Sequence, residues 1–180
     1  MSRLYKQVFA AAVAAAALVA YMQSPGAQEA KKEKPALQKQ DTKMMRDIAQ
    51  ADLAEVQAGR LAARKAASAE VKKFGQQMVD DHGKHLSEAR AMAKTKGMQL
   101  PSAPAKKHQQ AMKKLESASG AEFDKVFMQQ MVKDREEALK LVQNTAKSAK
   151  DPQLKADAEK TAPVIEKHLE EAKRIAASLK

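Results

Sequence analysis

From Asp41 onward the apolar residues return every three or four positions, and no stretch alternates as a strand would. A first helix is predicted over Thr42–Ala67, where Met44, Ile48, Ala51, Glu55, Ala58 and Ala62 repeat at 4-3-4-3-4 spacing. Ser68 is placed to cap a second helix that runs to Lys96, with Glu70 in its first turn and Gly97 just past its end. Its stripe is Val71, Gly75, Met78, His82, Leu86, Ala89 and Ala93. A loop over Met98–Pro104 and a short helix over Ala105–Ser117 follow. Ser119 and Glu122 form a capping box for the next long helix, which carries Phe123, Phe127, Met131, Ala138, Leu141 and Val142 and ends near Ser148. Asp151, with Pro152 at the first helical position, opens the last helix. There Leu154, Ala158, Thr161, Ile165, His168, Ala172, Ile175 and Leu179 hold a nearly unbroken register, and Pro163 should bend it by freeing the Glu159 carbonyl.

Helices of this length rise roughly 40 Å. Four of them with short connections predict an all-α, up-down four-helix bundle with a short extra helix between the second and third. Alanine is frequent at the inward positions, so the helices must approach closely.

Four polar residues fall inside these apolar stripes: Glu55, His82, Arg135 and His168. A polar core group left without a partner costs roughly 1–3 kcal/mol, so four of them, one per long helix, point to a shared layer. Each lies near the middle of its helix, and the midpoints of antiparallel helices fall at similar heights. Asp81 and Asp134 directly precede His82 and Arg135 and flank that layer.

Three arrangements fit. Each histidine can be a satisfied core residue. Alternatively Glu55, His82 and His168 can bind one transition-metal ion, since imidazole and carboxylate suit Zn, Fe, Cu or Mn. A guanidinium never deprotonates and repels a cation, which requires Arg135 to point away in that case. In the third arrangement Arg135 takes the metal's place, paired with Glu55 and surrounded by the histidines. A di-iron carboxylate centre needs Glu-x-x-His on two helices, and Val79 and Ile165 stand where those glutamates belong.

Weaker signals remain. Met44–Met45 and Met128-x-x-Met131 could take Cu(I), although methionine more often fills cores. His85 is expected to pair with Asp81 at i,i+4 and His108 to face solvent. No Ser-His-Asp set, phosphate loop or carboxylate pair stands out, so hydrolysis and phosphoryl transfer lack support and the chain reads as non-enzymatic.

The N-terminus changes the picture of where this bundle works. Arg3 and Lys6 precede an uncharged Ala-rich run from Phe9 to Met22, about 14 residues and short of the roughly 20 that span a membrane. Residues 1–27 therefore read as a signal peptide or an uncleaved N-terminal anchor, residues 28–40 as a flexible linker, and 41–180 as the bundle. The protein is expected to be exported, to the periplasm or envelope, with no transmembrane helix in the mature chain. Cysteine is absent, which excludes disulfides and thiolate metal sites. The net charge is +11, and +9 once Arg3 and Lys6 are removed with the signal. Such a field suits anionic envelope surfaces, and the Lys-rich run Pro104–Lys114 could touch anionic polymer. Nucleic acid is not an expected partner, because the chain has no Trp and its two tyrosines, Tyr5 and Tyr21, lie in the signal.

The segments GRLAARKAASAEVKKFGQQMVDDH (59–82), FDKVFMQQMVKDREEAL (123–139) and TAPVIEKHLEEA (161–172) resemble a widespread exported bacterial family of unknown function, ferritin-like in fold and often labelled as outer-membrane proteins. The likeness covers about residues 41–178. It matches Asp81–His82, His168 and Glu55 to the family's polar positions. It implies a second Asp-His pair on the third long helix, where this chain has Asp134–Arg135. It also suggests a role in envelope maintenance or stress tolerance.

Overall fold

In the computed structural model the described residues are 37–179. The expected export segment and residues 28–36 of the expected linker lie outside them. Five helices follow in order: α1 (Lys39–Lys65), α2 (Ala69–Thr95), α3 (Lys106–Ser117), α4 (Gly120–Ser148) and α5 (Pro152–Ser178), with no strand among the described residues. No helix among these is long and apolar enough to cross a membrane. Helix α1 starts at Lys39 rather than Thr42, so the last two residues of the expected linker are helical.

The four long helices pack as two antiparallel hairpins, α1 on α2 and α4 on α5, with α1 also against α4 and α2 against α5. The short α3 lies across α1 and α4 and anchors itself by burying Leu115. An apolar cluster containing Phe74, Phe123 and Phe127 fills the end near the α1–α2 loop. The Phe123 and Phe127 rings stack 5.8 Å apart, and Phe74 meets Phe127 edge-on. A second cluster with Met44, Met45, Ile48 and Leu154 fills the other end. The polar layer lies between them.

Local chemistry sets three of the helix ends. Ser68 accepts the amides of Glu70 and Val71, and Asp151 accepts those of Gln153 and Leu154. At the end of α2, Gly97 adopts φ +66, and the amides of Gly97 and Met98 bond the carbonyls of Lys94 and Ala93, which is a Schellman stop. The expected capping box at Ser119 does not form. The Ser119 side chain accepts no first-turn amide, and Gly120 follows it at φ +58 rather than in the helical region. Pro163 sits within α5 without ending it.

Two buried aspartates tie the hairpins together. Asp41 of α1 accepts the amides of Lys150 (3.1 Å) and Asp151 (2.7 Å) in the α4–α5 loop. Asp124 of α4 accepts those of Ala67 (3.0 Å) and Ser68 (2.7 Å) in the α1–α2 loop. These bonds pull the chain out of helix at Ala66, so α1 stops at Lys65 and not at Ala67.

Helices α1 and α2 touch backbone to backbone at Gly59 and Gly75. A Cβ on Gly59 would stand 2.5 Å from the Gly75 carbonyl oxygen, and one on Gly75 would stand 2.7 Å from Ala62 Cβ. This close crossing sits one turn from Glu55 and two turns from His82, and it fixes how near the polar side chains of the two helices come.

Candidate functional site: a buried polar layer

Glu55 from α1, His82 from α2, Arg135 from α4 and His168 from α5 are all buried, and Arg135 is fully so. The fold brings them together. Arg135 Nη2 lies against Glu55 Oε1 as an ion pair, and its Nη1 meets His82 Nε2. The His82 and His168 rings stand 5.7 Å apart, centroid to centroid. His168 Nε2 reaches Asp81 at 3.0 Å across the α2–α5 interface.

The layer is wider than the four residues named from the sequence. Asp52, one turn before Glu55, is buried and bridges two histidines: Oδ1 meets His82 Nδ1 and Oδ2 meets His85 Nδ1, both at 2.8 Å. The other ring nitrogen of His85 faces Asp157 of α5 at 3.2 Å. His85 thus pairs with Asp52 and Asp157, not with Asp81 as its i,i+4 spacing suggested, because Asp81 turns towards His168. Asp52 could have been found in the sequence. Ile48, Asp52, Glu55 and Gly59 share the inward spacing as well as Ile48, Ala51 and Glu55 do, and it is Asp52 that is buried while Ala51 is half-exposed. His85 lies one turn after His82 on the same face, which is its only sequence signal.

These contacts fix protonation. Arginine has donors only, so His82 Nε2 must accept, and Nδ1–H then donates to Asp52. His82 is accordingly neutral. Burial and the Arg135 charge hold its pKa down to about 4, against the pull of Asp52. Burial also opposes charge on His85, but carboxylates at both ring nitrogens win and raise its pKa to about 10. Burial would push Asp52 upward, and its bonds to the two histidines overcome that and hold it low. For Glu55, burial dominates and lifts the carboxyl to about 7, with Arg135 pulling down and Asp134 and Asp52 adding to the rise. His168 is lowered by burial and by Arg135.

For metal chemistry the consequence is specific. The His82 lone pair is taken by Arg135, and His85 is an imidazolium with no lone pair to give. Among the described residues no set of three His, Cys, Asp or Glu side chains has metal-binding geometry. The buried atoms without a hydrogen-bond partner here are Glu55 Oε2, Arg135 Nε and Nη2, and His168 Nδ1, although Nη2 touches Glu55 Oε1. Met44, Met45, Met128 and Met131 are buried within the apolar clusters, where they act as core residues. Asp134 lies beside the layer, accepting from Gln130 at 2.9 Å, and half-buried His108 shares a cavity with it.

No curated protein matches the sequence. Among solved structures, the chain is similar to CopM in its Cu(II)-bound form, at 15% identity and a TM-score of 0.68, covering 78% of this chain and 97% of that one. It is also similar to a DUF305 fragment from Deinococcus radiodurans, at 9% identity and a TM-score of 0.71, covering 80% and 99%. Both likenesses are of fold. The family model for the domain of unknown function DUF4142 matches residues 26–175, nearly the whole helical region, and the chain therefore belongs to the DUF4142 family.

Proposed function

We propose that this protein is an exported, non-enzymatic, ferritin-like four-helix bundle of the cell envelope whose central polar layer is an internal ion-pair network. The reading rests on Arg135, which touches both Glu55 and His82 and so stands where a bound cation would have to sit. A fixed positive charge there supplies from within what a metal would supply from outside. Such a network holds helix register more than it adds net stability. A part in envelope maintenance or stress tolerance fits an exported basic protein with no catalytic set.

A second reading has one transition-metal ion held by Glu55, His82 and His168, with Asp81 and Asp134 supporting. The unpartnered His168 Nδ1 and the fold likeness to a copper-bound protein support it. It requires Arg135 to leave the layer. One experiment separates the two. The protein is titrated with Zn, Cu, Fe and Mn, following stoichiometry and melting temperature, alongside Arg135→His and His168→Ala. The ion-pair reading expects no micromolar site in the natural chain and expects one to appear only with Arg135→His. A micromolar site in the natural chain that His168→Ala abolishes would establish the metal reading instead.

A further inference from the structure

The outward face of α1 separates its charges. Lys39, Lys43, Arg46, Arg60 and Arg64 are exposed and fall on one line of alternating four- and three-residue steps, about 38 Å long. The steps between Arg46 and Arg60 land on Gln50, Leu53 and Gln57, so the line holds no acid. The acids of the helix are spent inside: Asp41 clasps the α4–α5 loop, Asp52 holds two histidines and Glu55 meets Arg135. Asp47 lies at the edge of the line and pairs with Lys43 at 2.5 Å. Lys39, Arg46, Arg60 and Arg64 make no ion pair among the described residues. Arg90 and Lys94, exposed in the last two turns of α2 beside the start of α1, extend the same field.

The rest of the bundle is not built this way. Residues 118–179 hold eleven basic and eleven acidic residues, whereas 39–117 hold sixteen basic and nine acidic, so the excess charge belongs to one side of the chain. On α5 exposed lysines alternate with Glu159, Glu166 and Glu170, which is how a merely solvated face looks. A straight cationic line on a convex helix can meet a flat anionic surface at every point along its length. Nucleic acid fits less well, because the aromatic side chains among the described residues, Phe74, Phe123 and Phe127, are all buried and offer bases nothing to stack on. In sequence, α1 follows the uncharged run Phe9–Met22 and then Lys31, Lys32 and Lys34, so an anchor retained there would deliver the line to a bilayer. We propose that the outward face of α1 docks on an anionic phospholipid bilayer, with Lys39, Lys43, Arg46, Arg60 and Arg64 against the lipid headgroups. The surface goes beyond the ion-pair reading, which uses only the inward face of α1.

The test is co-sedimentation of the full chain with vesicles of phosphatidylglycerol and phosphatidylcholine in equal parts, against vesicles of phosphatidylcholine alone. The quantity read is the excess partition onto the anionic vesicles, which removes any contribution from insertion of the apolar run. One variant carries Arg46→Gln, Arg60→Gln and Arg64→Gln. A control carries Lys155→Gln, Lys160→Gln and Lys167→Gln on the exposed face of α5, for the same change in net charge. All six side chains are exposed, so both melting temperatures should stay near that of the natural chain. Each cation near an anionic surface is worth about fivefold in partition, so the α1 variant should lose about a hundredfold and the control less than about fivefold. The excess should also vanish between about 0.05 M and 0.5 M potassium chloride. The proposal is overturned by no preference for the anionic vesicles, by a loss under about tenfold in the α1 variant, by equal losses in the two variants, or by an excess that survives the salt. Tighter binding of a short DNA duplex than of the vesicles would overturn it as well. None of these failures touches the Arg135–Glu55 pair.

Discussion

Replacing Arg135 by Met tests the centre of the structure. Met fills much of the same volume, so the change is chiefly one of charge and hydrogen bonding. Arg135 is fully buried, and its removal strands the Glu55 carboxylate and leaves His82 Nε2 without a donor. Breaking a buried pair from one side costs about 3–5 kcal/mol. For a domain of this size that is about 10–15 °C in Tm. Glu55 has an escape, since its carboxyl already lies near pKa 7 through burial and would rise further without Arg135. The loss should therefore be larger at pH 8, where protonating the stranded carboxylate costs most, than at pH 5, where it is nearly free. Glu55→Gln in the same chain removes the stranded charge. The double variant should then be less destabilised than the sum of the singles by about 1.5 kcal/mol or more. The assay is urea unfolding followed by helical circular dichroism, with all four members of the cycle at both pH values. Additivity within about 0.5 kcal/mol, or a loss that does not depend on pH, would refute a direct Arg135–Glu55 pair.

Three further outcomes follow from named contacts. Gly75→Ala should destabilise by about 1–3 kcal/mol because its Cβ meets Ala62 and the Gly59 carbonyl, whereas Gly83→Ala, with open space around it, should stabilise by about 0.5–1 kcal/mol; thermal melts of both compare crossing against helix propensity. His85 is raised from 6.5 to about 10, so its stabilising charge is complete below about pH 6.5 and is lost as pH rises towards 10. Urea midpoints should accordingly fall from pH 7 to 10, and His85→Gln should start lower and show a flatter fall; an unchanged slope would mean that the imidazolium is not held by Asp52 and Asp157. Asp124→Ala orphans the amides of Ala67 and Ser68, which should cost about 2 kcal/mol or more and speed hydrogen exchange at those two residues ahead of the rest of the bundle.

The sequence revealed what depends on neighbours three or four residues apart. Helix stripes, the Ser68 and Asp151 caps, and the Gly97 stop each follow from chemistry contained within one turn. The inward register of Glu55, His82, Arg135 and His168 is legible for the same reason. What the sequence hid depends on partners far along the chain. Asp41 and Asp124 look like ordinary acids near a helix start, and only the assembled bundle shows each clasping the other hairpin's loop. Ser119 and Glu122 have capping-box spacing, but the left-handed Gly120 between them defeats it. His85 has an acid one turn away on its own helix, and nothing local reveals that Asp52 and Asp157 from two other helices outbid it.

The two hairpins also correspond at several positions in one register, and they differ at the centre. Asp41 and Asp124, Ser68 and Asp151, and His85 and His168 are separated by the same number of residues, and the runs HLSEARAM (85–92) and HLEEAKRI (168–175) coincide in that register. The correspondence reaches function in the fold: the first member of each hairpin clasps the opposite loop, and the paired serine and aspartate both cap helices. In the same register Asp52 answers to Arg135. One hairpin therefore places an acid in the middle of the bundle, and the other places a base at the equivalent point. Were both acidic, the layer would gather Asp52, Glu55 and their partners around a surplus of negative charge that only a bound cation or protons could relieve. With arginine at one of the two positions, Glu55 is met from inside, His82 is fixed as a neutral acceptor, and Asp52 is left to hold two histidines. An acid at that single position would hand the layer's charge balance to a bound cation or to protons, whereas arginine supplies the positive charge from within.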